Sequence, residues 1–312
     1  MSPSESPPAD WRRVGIYLLL TYGISWSVAG VIYRTGGLLH SPPVVPGVLT
    51  LATLLLAGVY MPAPAVAHLL TRWMTREGWQ DLGLRPRLRE RWPYWVLAWV
   101  GPAALTVAGG ALYFVLFPEH FDPSLPTLQA LLAEASQRTG QPLRLPFPLW
   151  VLALIQALQA VLLGPLLNGP FAFGEEFGWR AYLQPKLLAL GWRRAMLLMG
   201  LIWGVWHAPV IAMGHNYGLY GLDYPGAPWS GILAMIGFTF VVGTFLGWLA
   251  VRGGSVWPPV IGHAGLNAIG GLPLLFVAGE PNLVLGPLPF GLIGAAGFTL
   301  VGLWLFWRGP ES

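Results

Sequence analysis

Residues 148–190 read PLWVLALIQALQAVLLGPLLNGPFAFGEEFGWRAYLQPKLLAL, a run that is apolar almost throughout. It is longer than the roughly 17 to 25 residues that cross a ~30 Å hydrocarbon core. Glycine–proline pairs at 164–165 and 169–170 interrupt it, because proline cannot continue a helix undisturbed. The sequence therefore predicts one crossing over 148–167, followed by a further helix from about Phe171 that stays in or against the membrane.

Seven further apolar runs of crossing length lie on either side of this stretch. They cover residues 14–33, 45–70, 94–117, 195–213, 229–251, 256–276 and 290–307. Hydrophobic residues make up 55% of the chain and charged residues only 10%, too few charges to coat a water-facing surface of this size. We expect an all-α polytopic membrane protein with about eight transmembrane helices. It would have a cytoplasmic tail over 1–13, a single transmembrane domain over 14–307, and a cytoplasmic tail over 308–312.

Basic residues divide unevenly between the two sides that eight crossings define. Arg34, Arg138 and Arg144 fall on one side, and the other fourteen fall on the side of the N-terminus. The positive-inside rule then predicts that both termini are cytoplasmic, in a bacterial or archaeal cytoplasmic membrane. Because topology accounts for the net charge of +4, we expect the lipid bilayer as a partner and no nucleic acid. The fourteen are Arg12, Arg13, Arg72, Arg76, Arg85, Arg87, Arg89, Arg91, Arg180, Lys186, Arg193, Arg194, Arg252 and Arg308.

Two adjacent carboxylates, Glu175 and Glu176, lie in the apolar sequence GPFAFGEEFGWRAYL, whereas the other eleven acidic residues fall in tails or loops. Ionisable groups at membrane depth need a partner or a function. On a helix, Glu176 and Arg180 share a face and can form an ion pair, while Glu175 is rotated by roughly 100° and lacks that counter-charge. The alternative is an interfacial helix whose acids face water.

Two histidines also fall inside predicted crossings. His207 lies within 195–213, and His263 precedes Asn267 by four residues, so those two side chains share a helix face. Measured from the nearest basic residues, Glu175, His207 and His263 lie at similar depths of about 16 to 20 Å, at the helical rise of ~1.5 Å per residue. We therefore expect them to meet in one cavity, open to the cytoplasmic leaflet.

Two other histidines, His68 and His215, lie nearer the ends of their crossings. A single buried histidine is more often a packed, hydrogen-bonded residue than a catalyst. We expect both to be ordinary packed histidines.

A glutamate, two histidines and an asparagine favour hydrolysis by activated water. The chain has no cysteine, which excludes a thiol nucleophile, and no GxSxG serine elbow. Glu175 suits a general base, a role that His207 could share. His263 and Asn267 could donate hydrogen bonds to the oxyanion that forms when water attacks an amide carbonyl.

The same residues leave a metal site open. Glu175, His207 and His263 could ligate zinc, with a fourth position for water. The sequence has no HExxH motif, so we favour catalysis without a metal and expect no other cofactor.

Three short motifs follow one another along these segments. EEFGWR at 175–180 fits EExxxR, WGVWH at 203–207 takes the place of FxxxH, and HAGLN at 263–267 fits HxxxN. Together these motifs, over residues 174–267, resemble the CPBP family, the CAAX proteases and bacteriocin-processing enzymes also called the Abi family. The resemblance implies a fold of eight transmembrane helices, similar to the type II CAAX prenyl endopeptidases, and an intramembrane endopeptidase of a class often labelled metalloproteases.

The resemblance also implies roles for individual residues. Glu175 with His207 would activate the water, and His263 with Asn267 would stabilise the oxyanion. Glu176 and Arg180, which match the remaining motif positions, would hold the site in shape.

One position departs from the family pattern, because Trp203 stands where the pattern has phenylalanine. An aromatic side chain is retained, so we expect a narrower cavity with catalysis preserved. The substrate stays open: we expect a membrane-embedded or lipidated peptide or protein, with or without a prenyl group.

Two other functions stay open. One is a non-catalytic family member that acts by binding, in bacteriocin self-immunity or as a scaffold. The other is a transporter in which Glu175 carries protons, although symmetric interrupted helices would then be expected in both halves of the chain, and only one broken segment is present.

Overall fold

The computed structural model describes residues 10–218 and 222–310, and helices dominate both ranges. Within them, β structure is confined to a hairpin of β1 (Pro43–Val45) and β2 (Leu49–Thr50) and to one isolated bridge between Phe121 and Val277. The α-helices are α1 (Trp11–Arg34), α2 (Leu51–Leu55), α3 (Ala63–Thr75), α4 (Leu88–Leu116), α5 (Pro126–Thr139), α6 (Leu149–Leu162), α7 (Gly164–Leu167), α8 (Gly169–Gly178), α9 (Gln184–Leu187), α10 (Trp192–Trp206), α11 (Ala208–Ile211), α12 (Trp229–Gly253), α13 (Trp257–Ile269) and α14 (Ala296–Arg308).

Five helical stretches of the described residues are long and apolar enough to cross a membrane. The other three predicted crossings coincide with the shorter apolar helices α6, α10 and α14. The prediction of an all-α polytopic membrane protein is confirmed. The second crossing begins at Leu51 rather than near 45, because the hairpin takes up the preceding residues. The five stretches are Trp11–Arg34, Leu51–Thr75, Leu88–Leu116, Trp229–Gly253 and Trp257–Phe276.

The interrupted stretch from α6 to α9 runs alongside α13 in the opposite direction. Ala153 clusters with Leu275, Gly164 touches Ala268, and Ala181 clusters with Val256. Later residues of the interrupted stretch therefore contact earlier residues of the segment from Val256 to Leu275, which contains α13, so the two run antiparallel. The helix predicted from about Phe171 is therefore α8, and it continues the crossing that α6 begins, with Gly–Pro interruptions where the chain bends.

Contacts between chain segments define a basic end of the bundle. Val256 N donates to Gly83 O, and Arg252 and Arg193 donate to Pro310 O and Trp307 O. The opposite end joins other segments, as Asp122 N donates to Phe276 O and Tyr217 OH to Phe290 O. The segments that carry the two sets of basic residues thus lie at two different ends, except that Arg180 itself is buried inside the bundle beside Glu176.

Glu77 connects three segments at the basic end. Lys186 Nζ lies 2.6 Å from its Oε1, Tyr182 OH donates to its Oε2 at 2.9 Å, and Arg13 Nε lies 3.6 Å from Oε2. Burial raises the pKa of Glu77, but the hydrogen bonds from Lys186 and Tyr182 outweigh burial and hold that pKa below its usual value. The carboxylate therefore stabilises the folded state.

Replacing Glu77 with glutamine should lower the thermal midpoint, because Lys186 loses its counter-charge. A carboxylate whose folded pKa is lowered contributes stability above its unfolded pKa and loses it as pH falls through the folded pKa. The difference in Tm between wild type and Glu77→Gln should therefore be largest at about pH 7 and shrink towards about pH 3. Thermal unfolding in detergent at both values measures this.

Glu134→Gln is the matched control, because that carboxylate pairs with the exposed side chain of Arg138. Such surface pairs contribute little, so its Tm should stay close to wild type. A Glu77→Gln difference of equal size at both pH values would contradict the assignment.

Candidate active site

Close helix packing turns the two glutamates inward. Gly174 and Gly178 lie one turn apart on α8 and face Pro62 and Pro64, where a Cβ atom at either glycine would overlap the proline. The backbone of α8 can therefore press against the start of α3. Glu175 is 3% exposed and Glu176 fully buried, so the alternative of acids that face water is wrong.

Glu176 is shared by two cationic or polar groups. Its Oε1 accepts from Arg180 Nη1 at 3.0 Å and lies 2.8 Å from His263 Nδ1. The structure thus contains the ion pair that the four-residue spacing predicts, and it adds His263, which the sequence relates only to Asn267. Arg180 also lies over the ring of Trp203, with Cζ 4.5 Å from the ring centroid.

Glu175 has a hydrogen-bond donor rather than a counter-charge. Trp203 Nε1 donates to its Oε2 at 3.0 Å. Trp203, which stands where the family pattern has phenylalanine, therefore adds a hydrogen-bond donor as well as a larger ring, because phenylalanine has no group that can donate this bond. The other carboxylate oxygen of Glu175, Oε1, makes no hydrogen bond among the described residues. The Glu175 side chain lines a cavity.

His207 lies at the end of α10, next to the same tryptophan. Gly200 and Gly204 of α10 face α12, where a Cβ would overlap Phe240 or Ile236, so the two helices pack closely. His207 Nδ1 lies 2.8 Å from Trp203 O. Because a carbonyl oxygen only accepts, Nδ1 carries a proton, and Nε2 of the neutral ring presents a lone pair.

One cavity of about 350 Å³ brings the predicted residues together. Glu175, His207, His263 and Asn267 all line it. Glu175 and His263 are 3% and 5% exposed, whereas Asn267 is an exposed residue. The buried polar groups therefore form the floor of the cavity and Asn267 lies nearer its mouth.

Sequence reasoning missed the polar lining residues Tyr60, Asn216 and Thr239. His215 was expected to be an ordinary packed histidine, but it is an exposed residue that lines the cavity. Asn216 has a φ of 69°, a left-handed conformation that asparagine tolerates better than most residues. The sequence Gly214–His215–Asn216 is a turn signal that could have shown His215 leaving its helix. His68 is a packed histidine as expected, with Nδ1 2.8 Å from Phe177 O.

The direction in which the cavity opens differs from expectation. The crossing Leu51–Thr75 contributes Leu56 to Met61, near the end that lies away from Glu77. Segments of the end opposite the basic residues contribute His215, Gly271 and Phe290. The expected opening on the side of the basic residues is therefore wrong, because the lining comes from the other ends of the helices.

The zinc alternative finds no geometric support. Across residues 10–218 and 222–310, no three histidine, aspartate or glutamate side chains are grouped so that they could hold a metal ion. Zinc binding by Glu175, His207 and His263 stays a hypothesis for direct metal analysis.

Residues 146–269 match the model of the family described as type II CAAX prenyl endopeptidase Rce1-like. This segment is similar to that family. It contains α6 to α13, and with them every residue assigned to the candidate site. The resemblance read from the three motifs is confirmed, and the family is one of intramembrane CAAX-type proteases. No curated protein shows significant similarity to the chain.

Replacing Arg180 alone should destabilise the protein more than replacing both members of the ion pair, Arg180 and Glu176. Arg180→Met leaves Glu176 buried with a single partner, a loss on the order of 3 kcal/mol. The double variant Glu176→Gln with Arg180→Met buries no unpaired charge and should unfold at a higher temperature than the single variant. Thermal unfolding in detergent measures the cycle.

Arg138→Met is the control, because Arg138 is an exposed arginine in a pair of the same spacing. Its Tm should hardly change. A double variant less stable than Arg180→Met would contradict the view that the unpaired carboxylate carries the cost.

Proposed function

We propose that this protein is an intramembrane endopeptidase that hydrolyses a peptide bond of a membrane-embedded or lipidated peptide or protein. The observation that carries the proposal is the convergence on one cavity of Glu175 from α8, His207 directly after α10, and His263 and Asn267 from α13. Membership of residues 146–269 in a protease family supports the same class of reaction.

Glu175 and His207 are proposed to activate water. Both side chains keep an acceptor for the cavity, Oε1 of Glu175 and Nε2 of His207. In the reaction, one of them removes a proton as the water oxygen bonds to the carbonyl carbon. The same proton passes to the leaving nitrogen when the carbon–nitrogen bond breaks, so the enzyme ends unchanged.

His263 and Asn267 are proposed to stabilise the oxyanion. The Nδ1 edge of His263 faces Glu176, which leaves Nε2 for the cavity. A donor role requires a proton on Nε2, so the active ring is the imidazolium. Its positive charge would also pair with the carboxylate of Glu176, which Arg180 contacts as well.

Glu176, Arg180 and Trp203 are proposed to position these groups rather than to touch the substrate. Glu176 fixes the ring of His263, and Arg180 holds Glu176. Trp203 holds Glu175 through its indole nitrogen and His207 through its backbone oxygen. One tryptophan thus sets the distance between the two residues proposed to activate water.

The basic end is proposed to face the cytoplasm of a bacterial or archaeal cell, with both termini on that side. The sequence assigns fourteen of the seventeen basic residues to this side, and all of these except the buried Arg180 belong to segments that meet at one end.

Glu175→Gln, His207→Ala and His263→Ala should each reduce cleavage by a factor of roughly 10² or more, because each removes a proton acceptor or oxyanion donor. The assay follows two fluorogenic peptides with purified enzyme in detergent, one ending in a farnesylated CAAX box and one with the same sequence without lipid. Comparison of the two peptides also measures the contribution of the prenyl group.

Glu134→Gln and His40→Ala are matched controls outside the cavity and should cleave like wild type. Wild-type rates in the three cavity variants would refute the catalytic roles. A biological effect that survives all three substitutions would instead support a binding or scaffold function, and substrate accumulation in proteoliposomes would support a transporter.

Metal analysis separates the two forms of catalysis. Purified protein should contain no stoichiometric zinc, and cleavage should persist in strong chelator, if Glu175 and His207 act on water directly. Stoichiometric zinc that is lost in His263→Ala, together with chelator-sensitive cleavage, would reassign Glu175, His207 and His263 as ligands.

A further inference from the structure

Most residues that line the cavity lie on the half of their crossing that is farther from the basic end. From α12 it takes Met235, Phe238 and Thr239, which lie nearer Trp229 than Gly253. Gly253 is next to the basic end, where Arg252 bonds to Pro310 O. Along α10 and α13 the lining begins at Trp203 and at His263 and continues away from the basic end.

The rim of the cavity consists of turns at the end opposite the basic residues. His215 and Asn216 follow α11, Gly270 and Gly271 follow α13, and Phe290 precedes α14. Tyr217, next to the first pair, donates its hydroxyl to Phe290 O at 2.9 Å. The turns that bound the cavity are therefore joined to each other at that end.

Exposure increases from the floor to this rim. Glu175, His263 and Trp203 are at most 5% exposed. His215, Asn267 and Gly271 are exposed residues. The accessible side of the site is thus the side of the rim.

Tight packing closes the cavity towards the basic end. Directly below the floor lies the buried pair of Glu176 and Arg180. One turn further on, Gln184 Nε2 donates to Gly247 O at 3.0 Å, and both residues are buried. Tyr182 and Lys186 then bond to Glu77. A smaller cavity of about 220 Å³ enters these layers from the basic end and is lined by Arg180 and Gln184, but Glu175 does not line it.

We infer that the substrate is a peptide segment presented on the non-cytoplasmic side of the membrane, as in an exported polypeptide or a peptide anchored in the outer leaflet. This inference rests on the proposed protease function and on the cytoplasmic placement of the basic end.

The chemistry of the rim fits an uncharged, extended peptide. Among the described lining residues Glu175 is the sole acid, and no lysine or arginine is present. The side-chain amide of the exposed Asn267 is suited to the N–H and C=O groups of a peptide backbone.

The absence of cysteine from the chain allows a direct test of sidedness by introduced thiols. His215→Cys and Gly271→Cys place a thiol on the rim, and Gly271 has open space around the position of a Cβ. A membrane-impermeant, sulfonated maleimide is added to spheroplasts and, separately, to inverted vesicles. Both variants should be labelled in spheroplasts.

Two control positions show how a thiol on each face of the membrane reacts with the maleimide. Arg89→Cys lies in the exposed basic loop and Gln141→Cys in the exposed loop after α5. Arg89→Cys should react only in inverted vesicles, and Gln141→Cys should react in spheroplasts like the rim variants. Labelling of His215→Cys and Gly271→Cys together with Arg89→Cys, and only in inverted vesicles, would overturn the inference.

A cleavage measurement separates this inference from the proposed function. The non-lipidated fluorogenic peptide, which cannot cross the membrane, should be cleaved by spheroplasts that contain wild-type protein and not by those with Glu175→Gln. Cleavage only in inverted vesicles would overturn the substrate side while leaving the protease function intact. Rim labelling in spheroplasts without cleavage in either preparation would refute the protease function and leave the position of the mouth established.

Discussion

The buried carboxylate of Glu176 is the constraint on which the rest of the site depends. An ionised group without solvent is stable only when charged or polar partners surround it. Arg180 comes from the π-helical turn after α8, and His263 comes from α13. The partners of this one carboxylate therefore fix the position of the interrupted crossing along α13. The same contact orients the ring of His263, which is proposed to bind the oxyanion.

Trp203 extends that constraint to a third helix. Its indole donates to Glu175, its ring lies under Arg180, and its carbonyl meets His207. The family pattern has phenylalanine at this position, which could supply the ring but not the donor. Tryptophan at this position therefore makes a hydrogen bond to a carboxylate that phenylalanine could not make. Tryptophan fits because Gly243 of α12 faces its ring.

Local patterns made most of the fold predictable, since apolar length defines crossings and a spacing of four defines shared helix faces. The ion pair of Glu176 with Arg180 follows from that spacing. The contact of Glu176 with His263 joins positions 87 residues apart and depends on how two helices pack, which one sequence does not encode locally. The opening of the cavity was predicted wrongly for a related reason. Similar depths of Glu175, His207 and His263 predict that the three side chains lie at one level of the bundle. They do not show on which side of that level the cavity opens and on which side side chains pack.

A water-accessible cavity inside a membrane protein must not let ions cross the bilayer. In this protein the polar floor is backed by a buried ion pair, the Gln184 contact with α12 and the Glu77 cluster, and each layer joins at least two chain segments. Glu175 is reached from the rim, whereas the layers below consist largely of buried groups, of which Arg180 Nη2 and Glu176 Oε2 have no hydrogen-bond partner within the described part of the chain. The contacts that hold Glu176 in place are thus also the contacts that separate the cavity from the basic end.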